Sequence, residues 1–324
     1  MVAASPEKTD GAPCGKKRKS SPDYASLAAR LLADCEASAG GAASKLPAGL
    51  YVVAGPIGNL GDITLRALQT LAGCDAVACE DTRVTGGLLH RYGIKQKLIS
   101  YHDHNAQTRQ PELMARLAAG EAVALVSDAG TPLISDPGYK LVQACRAADY
   151  PVTALPGASA LLTALACAGL PTDQFLFAGF LPSKATAREK ALLALKPIPA
   201  TLIFYEAPPR LDATLAAMAK ILGAERQATV ARELTKLYET VETGTLAALV
   251  KLFRESETPK GEIVILLAPP PETPTEAPPL DAMLDAALQT QSLRDAVAAV
   301  SAATGIKKSE VYQRALALGG GKAE

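Results

Sequence analysis

Between residues 50 and 156 the chain repeats one pattern, a short apolar run followed by a stretch with helical spacing. The runs are LYVVA (50–54), AVACE (76–80), KLISY (97–101), AVALVS (122–127) and PVTALP (151–156). Runs that are apolar throughout cannot leave one face to water, so they predict parallel strands covered by helices on both sides. Helical periodicity over 64–71, 112–119 and 139–147 supplies the covering layers. Gly and Asp gather where the runs end, which is where open α/β sheets place ligand sites.

A second α/β unit follows. Its strand candidates are FLFAGF (175–180), TLIFYE (201–206), ATVARE (228–233) and EIVILLA (262–268), with helical segments at 188–195, 210–222 and 246–253. Residues 268–279 carry six prolines, which neither a helix nor a strand can absorb, so they read as a linker. Beyond it, 280–318 reads as two or three helices broken at Thr304-Gly305, the next one opening on Lys307-Lys308. A small helix-turn-helix-like module and a packing tail both fit. The first 47 residues are an Ala/Ser/Gly-rich tail with the basic cluster Lys16, Lys17, Arg18, Lys19 and one short helix near 24–35. The expected domains are therefore a tail (1–47), an N-terminal α/β domain (48–164), a C-terminal α/β domain (165–268), a linker (269–279) and a helical module (280–324).

Composition narrows the partners. Net charge is +0, so any nucleic acid must be held by local cations rather than a global field. Aromatics are 4% and Trp is absent, against an extended single-strand stacking platform. The six cysteines form no C-x-x-C pair and several sit inside apolar runs, where a free thiol behaves as a small hydrophobe. No apolar run is long enough to span a bilayer and no secretory leader is visible, so a cytoplasmic protein without a membrane partner is expected.

Three strand-end loops stand out. Gly55-Pro56-Ile57-Gly58-Asn59-Leu60-Gly61-Asp62 follows the first run; its glycines permit close backbone approach, and Asp62 is expected to cap a helix starting at Ile63-Thr64. The spacing is not that of the dinucleotide fingerprint. The segment from Ser127 through Asp128, Gly130, Ile134 and Asp136-Pro137-Gly138 mixes rigid and permissive residues at a strand's carboxyl end, which reads as a ligand cradle. Pro137 is expected at a first helical position behind Asp136 as cap. Leu155-Pro156-Gly157-Ala158-Ser159 repeats the theme, with amides exposed at a helix start.

These loops, in this order, resemble the tetrapyrrole-methylase superfamily and, within it, the 16S rRNA (cytidine) 2′-O-methyltransferases. Further matches are Glu80-Asp81-Thr82-Arg83, His102-Asp103-His104-Asn105, Phe204-Tyr205-Glu206, Arg232-Glu233-Leu234-Thr235-Lys236 with Tyr238-Glu239, and Lys260-Gly261-Glu262. The resemblance covers roughly residues 50–268 and extends to the helical tail. It implies two α/β domains of tetrapyrrole-methylase type, with a cleft between them for S-adenosyl-L-methionine, and a homodimer acting on 16S rRNA of the small ribosomal subunit. By motif position the cofactor's neighbours are Pro56, Ile57, Gly58, Asp128, Gly130, Ile134, Ser159, Ala160, Tyr205, Glu206, Ala207, Ala231, Arg232 and Glu262. The chain departs from the family pattern at Gly55, where Thr is usual, at Ala106, where an acid is common, and at Pro209, where His usually precedes Arg210.

Transfer of a methyl group from a sulfonium to a ribose hydroxyl is an in-line displacement that depends on alignment, helped by a base that takes the hydroxyl proton. The candidates are Glu80, Asp81 and Asp103, with Arg83 and Lys236 holding an adjacent phosphate. Each acid would serve equally as a helix cap or an ion-pair partner. Glu80 and Asp81 are consecutive at a strand end and so point to opposite faces. His102 and His104 flank Asp103, but no further ligand is fixed beside them, and no metal is expected. Two other readings fit less of the chain: a corrin-precursor C-methyltransferase, and an RNA-binding protein that has lost methyl transfer.

Overall fold

The computed structural model describes residues 23–38, 46–271 and 280–319. The cluster at Lys16–Lys19 and most of the Pro-rich linker lie outside those residues. The chain divides into two compact units, Met1–Pro269 and Pro270–Glu324.

In the first unit, helix α1 (Tyr24–Ser38) precedes five strands, β1 (Gly49–Val53), β2 (Ala76–Cys79), β3 (Leu98–Ser100), β4 (Ala122–Val126) and β5 (Val152–Leu155). They form one sheet in the order β3-β2-β4-β1-β5, and every pairing is parallel. Strands β2 and β4 are buried at every position, as continuous apolar runs require. Helices α2 (Leu65–Gly73), α3 (Thr82–Arg91), α4 (Ala106–Ala118), α5 (Tyr139–Ala147) and α6 (Ala160–Cys167) make the crossovers and cover the sheet.

Three local expectations change. Asp62 does not cap the first crossover helix: it ends a short 3₁₀ turn (Leu60–Asp62) opened by Asn59, and the Thr64 hydroxyl accepts from the Ala67 amide at 3.1 Å to cap α2. Asp136-Pro137 does not start a helix; α5 begins at Tyr139 behind Gly138, whose φ of 128° only glycine adopts easily. Helix α4 starts at Ala106, well ahead of 112, and carries Pro111 in its second turn, where the missing amide forfeits one intrahelical bond. Helix α3, short and rich in Thr and Gly, has no apolar period by which to read it.

Strands β6 (Phe175–Phe180), β7 (Thr201–Glu206), β8 (Gln227–Arg232), β9 (Thr240–Thr245) and β10 (Ile263–Leu267) form the second sheet, ordered β6-β7-β10-β8-β9. Only β6–β7 is parallel; β10 runs antiparallel to β7 and β8, and β9 antiparallel to β8. Strand β9 was not foreseen, because TVETGT is a polar edge strand without an apolar run. Helices α7 (Ala185–Leu195), α8 (Leu211–Leu222) and α9 (Leu246–Glu255) pack on this sheet. Leu202, Ile203, Phe204, Ile265, Leu266 and Leu267 are all 0% exposed, each worth about 1.5–3 kcal/mol of burial.

The second unit, taken by itself, is three helices: α10 (Leu280–Leu288), α11 (Leu293–Thr304) and α12 (Lys308–Gly319). Gly305 ends α11 in a left-handed cap, φ 72°, at the break read from the sequence. Leu284, Val297, Val300, Val311 and Ala315 form its core.

Candidate active site

The order of the first sheet brings the three loops together. Strands β4, β1 and β5 are neighbours, so the loops after each leave the same edge side by side. Backbone bonds then join them: the Gly55 amide donates to the Gly130 carbonyl at 2.8 Å, and the Gly130 amide to the Pro56 carbonyl at 3.3 Å. The Thr131 hydroxyl reaches the Ala158 carbonyl at 3.2 Å. Gly130 lies at φ 68°, and a Cβ there would sit 3.2 Å from Ile57. Leu133 and Ser135 also hold positive φ, 73° and 63°. Side-chain-bearing residues persist there only when the surroundings over-determine them, as at ligand sites.

The second sheet closes the opposite side. Register sets Ile263 on β10 opposite Glu206 on β7 and Arg232 on β8, so the end of β7 and the start of β10 form one wall. Between the loops and this wall is a cavity of about 330 Å³, within the usual range for small-molecule sites. Nine of the expected cofactor neighbours line it: Ile57, Gly130, Ile134, Ser159, Ala160, Tyr205, Glu206, Ala207 and Glu262. Five do not. Pro56 contributes its carbonyl to the loop bonding, and Ala231 is buried in a core cluster with Ile57 and Leu161. Arg232 turns to the Thr240 hydroxyl and the Lys260 carbonyl. Gly58 and Asp128 line neighbouring clefts.

Sequence reasoning missed Asp136, Phe180, Pro208, Gly261, Ile263 and Val264, which also line the cavity. Asp136 belongs to the loop expected as a ligand cradle, though its own expected task was to cap a helix. Phe180 ends an apolar strand and looked like core; it is 55% exposed, with its ring edge-on to Tyr205 at 5.7 Å. Phe177 packs against the same ring at 4.8 Å. No signal in the sequence separates these aromatics from ordinary core.

The carboxylates divide by their partners. Glu206 is buried, accepting from the Thr214 hydroxyl at 2.6 Å and the Ala207 amide at 2.8 Å, with Arg210 at 3.2 Å. Glu233 and Glu262 share Lys236, at 2.7 and 3.1 Å. Lys236 is therefore already neutralised. Asp81 caps α3 through the Arg83 amide and grips the Arg83 guanidinium at 2.6 Å, which holds its carboxyl down to about 2. Arg83 is otherwise in solvent.

Glu80, Asp128 and Asp136 behave differently. Glu80 accepts no hydrogen bond from the described residues, and burial, reinforced by the Asp128 charge, raises its carboxyl above the ordinary value. Burial and the Glu80 and Asp128 charges push Asp136 up to about 6. Asp128 accepts from the Asp81 amide at 3.1 Å and lines a shallow cleft with Glu80, Asp81, Ser100, His102 and His104. Asp128 of this cleft directly precedes Ala129, which lines the cavity, so one loop serves both spaces. Asp103 is exposed and lines neither. Among the described residues, no three His, Cys, Asp or Glu side chains converge as a metal site. Cys74, Cys79 and Cys145 are buried, and burial raises the thiols of Cys74 and Cys145 to about 11. Among the described residues, no helix is long and apolar enough to cross a membrane.

Comparison with known proteins adds a family to this geometry. The family model described as Tetrapyrrole (Corrin/Porphyrin) Methylases matches residues 49–250, and a model described as RsmI C-terminal HTH domain matches 274–319. A "Ribosomal RNA small subunit methyltransferase I" from Mesorhizobium japonicum is 50% identical over 276 residues, 85% of this chain and 94% of the relative. A protein of the same name from Erythrobacter litoralis is 51% identical over 276 residues, 85% and 97% respectively. Among solved structures, a cobalamin biosynthetic enzyme, cobalt precorrin-4 methyltransferase, aligns with a TM-score of 0.53 at 16% identity, covering 68% of this chain and 94% of that one. The methyltransferase CobJ aligns at 0.51 and 20%, with the same coverage. At such identities the likeness is one of fold.

Proposed function

This chain belongs to the tetrapyrrole methylase family, in its branch of small-subunit ribosomal RNA methyltransferases, and from that premise we propose that it methylates a cytidine ribose 2′-hydroxyl in 16S rRNA. The observation that carries the reading is the cavity at the carboxyl edge of the first sheet, whose Asp128–Asp136 loop also lines an acidic cleft. S-adenosylmethionine, the donor in this family, supplies an electrophilic methyl carbon on a sulfonium that leaves as a neutral thioether.

The lining fits that molecule. Asp136, and Glu262 sharing the single Lys236 with Glu233, give the wall negative charge suited to a cation, and Ile57, Ala160, Phe180 and Val264 give apolar surface suited to a flat base. The amides at the start of α6, beside Ser159 and Ala160, suit a carboxylate. The chain's own residues then have three tasks. The joined loops hold the donor pocket rigid, so alignment costs little at the moment of reaction. Asp136, on the cavity lining, would offset the donor's positive charge. Glu80, its carboxyl raised by burial and accepting no hydrogen bond from the described residues, accepts the ribose hydroxyl proton in the acidic cleft. Asp81 and Arg83 position the start of α3.

Residues 48–164 and 165–268 act as the two α/β halves of this site, in a cytoplasmic homodimer. Support for the dimer comes from exposed apolar residues on α6 and β6, with Leu162 at 52% and Phe175 at 43%. The test of function uses purified protein, methyl-labelled S-adenosylmethionine and small subunits from a strain lacking the modification. Label should appear in 16S rRNA at a linkage that resists alkaline cleavage. Label released as a base-methylated nucleotide after alkali, or none at all, would refute the proposal.

A further inference from the structure

From Thr82 through His102 the chain carries Arg83, Arg91, Lys95, Lys97, His90 and His102, and not one Asp or Glu, although its overall charge is +0. Helix α3 starts at the acidic cleft, where Asp81 and Thr82 are part of the lining. It ends at a separate, open cleft of about 620 Å³, lined by His90 and Arg91 on one side and by Thr235, Lys236 and Leu237 on the other. About ten residues of helix separate the two, some 15 Å at 1.5 Å per residue.

His90, Arg91, Lys95 and Lys97 are exposed, and no described carboxylate pairs with any of them. Surface cations elsewhere are often paired, as Arg109 is with Glu112 at 2.9 Å, Lys220 with Glu189 at 2.8 Å and Arg254 with Asp212 at 3.1 Å. Cations in a helix's last turn complement its dipole. That accounts for Arg91 but not for Lys95 and Lys97 beyond the helix.

The facing loop is unusual too. Glu233 and Thr235 hold positive φ, 53° and 66°, pinned by the Glu233–Lys236 ion pair and by the Thr235 amide donating to Glu239. The next two residues, Leu237 and Tyr238, are 87% and 70% exposed. A rigid loop that presents an aliphatic and an aromatic side chain to solvent opposite unpaired cations has the chemistry of a single-stranded nucleic acid, with phosphates on one side and base faces on the other. Asp23 also lines the cleft, and its carboxylate is engaged by Ser26 at 2.6 and 3.1 Å.

We propose that the RNA strand bearing the target ribose runs from the acidic cleft along the exposed face of α3 into this second cleft. There His90 and Arg91 hold its phosphates, with Lys95 four residues further along the chain, and Leu237 with the adjoining exposed Tyr238 packs against a flanking base. The proposal rests on the reading of the chain as an RNA methyltransferase and gives that enzyme a substrate track outside the donor pocket.

The experiment measures binding of full-length protein to a fluorescent single-stranded RNA of about 20 nucleotides spanning the target, and to intact small subunits, across a salt series. Arg91→Glu should weaken binding about tenfold at low salt and reduce the salt slope by roughly one. Lys251→Glu, an equal charge change on the exposed face of α9, should leave both unchanged. Tyr238→Ala should weaken binding several-fold with the salt slope intact. Binding of S-adenosylmethionine, followed by calorimetry, should match wild type in all three variants. Equal weakening by Arg91→Glu and Lys251→Glu would reduce the effect to net charge and overturn the proposal, as would unchanged RNA binding in both Arg91→Glu and Tyr238→Ala. Failure of the functional reading is separate: wild type would then bind RNA with this salt dependence yet transfer no methyl group to it.

Discussion

The two sides of the donor cavity are built by different means. The first sheet contributes mostly backbone: Gly55, Gly130, Pro56 and Ala158 meet through main-chain and short side-chain bonds, and space rather than chemistry decides which residues fit. The second sheet contributes side chains, Tyr205, Glu206 and Glu262, each fixed by a neighbour: Phe177, Thr214 and Lys236. A side made of backbone tolerates loss of a side chain and resists gain of one. A side made of paired side chains does the reverse.

The sharpest test of that contrast is Glu206→Ala. Its carboxylate satisfies the fully buried Thr214 hydroxyl and faces the half-buried Arg210 guanidinium. Removal strands the hydroxyl and leaves the guanidinium only the Leu181 carbonyl, and should destabilise the protein by about 3 kcal/mol, since a broken buried pair leaves its partners poorly compensated. Urea unfolding checks it. A loss below about 1 kcal/mol would mean that this wall is as tolerant of truncation as the loops are.

Next in size is Gly130→Ala on the opposite side. The residue sits at φ 68° and an added Cβ would lie 3.2 Å from Ile57. The expected cost is roughly 1–2 kcal/mol of stability. Donor affinity should fall by more than tenfold as the loop shifts, measured by calorimetry. Full donor affinity with a normal melting temperature would show that the loops are not pre-set by their backbone.

The legibility of the sequence follows the same division. All five strands of the parallel sheet announced themselves as apolar runs, and its three loops as clusters of Gly, Pro and Asp, because backbone constraints are written in residue type. The second sheet's edge strand β9, polar along its length, left no such mark. The roles of Phe180 and Asp136 were hidden for another reason. Whether an aromatic at a strand end is core or lining, and whether an Asp before Pro is a cap or a cavity wall, is decided by where the chain goes next, and local pattern carries no record of that. Asp81 is the converse case: a candidate base by motif, it is a cap and ion-pair partner by geometry.

Asp136→Asn gives a smaller effect with opposite signs in stability and binding. Burial raises the folded-state carboxyl to about 6, above its unfolded value, so the ionised form costs stability at neutral pH. That cost fades as pH falls through 6 and is gone below about 3.9. Asparagine should therefore stabilise the protein at pH 7.5, by at most about 1 kcal/mol once partial exposure is allowed for. Donor affinity should fall several-fold, and its decline between pH 7 and 5.5 should disappear in the variant. Calorimetry across that range reads both, and an unchanged pH dependence would remove Asp136 from the charge that faces the donor.

The smallest expected effect is that of Gly55→Thr, which installs the residue usual in the family. Gly55 lies outside the left-handed region, and its contribution is an amide donated to the Gly130 carbonyl at 2.8 Å, which threonine supplies equally. A Cβ at this position would meet only the Leu88 side chain, at 4.0 Å. The substitution should change stability by no more than about 0.5 kcal/mol, toward the stable side if anything, since threonine narrows the unfolded ensemble. Donor affinity should stay within twofold. If threonine instead tightened donor binding tenfold, its hydroxyl would be a contact that this chain lacks, and the first sheet's side of the cavity would no longer be backbone alone.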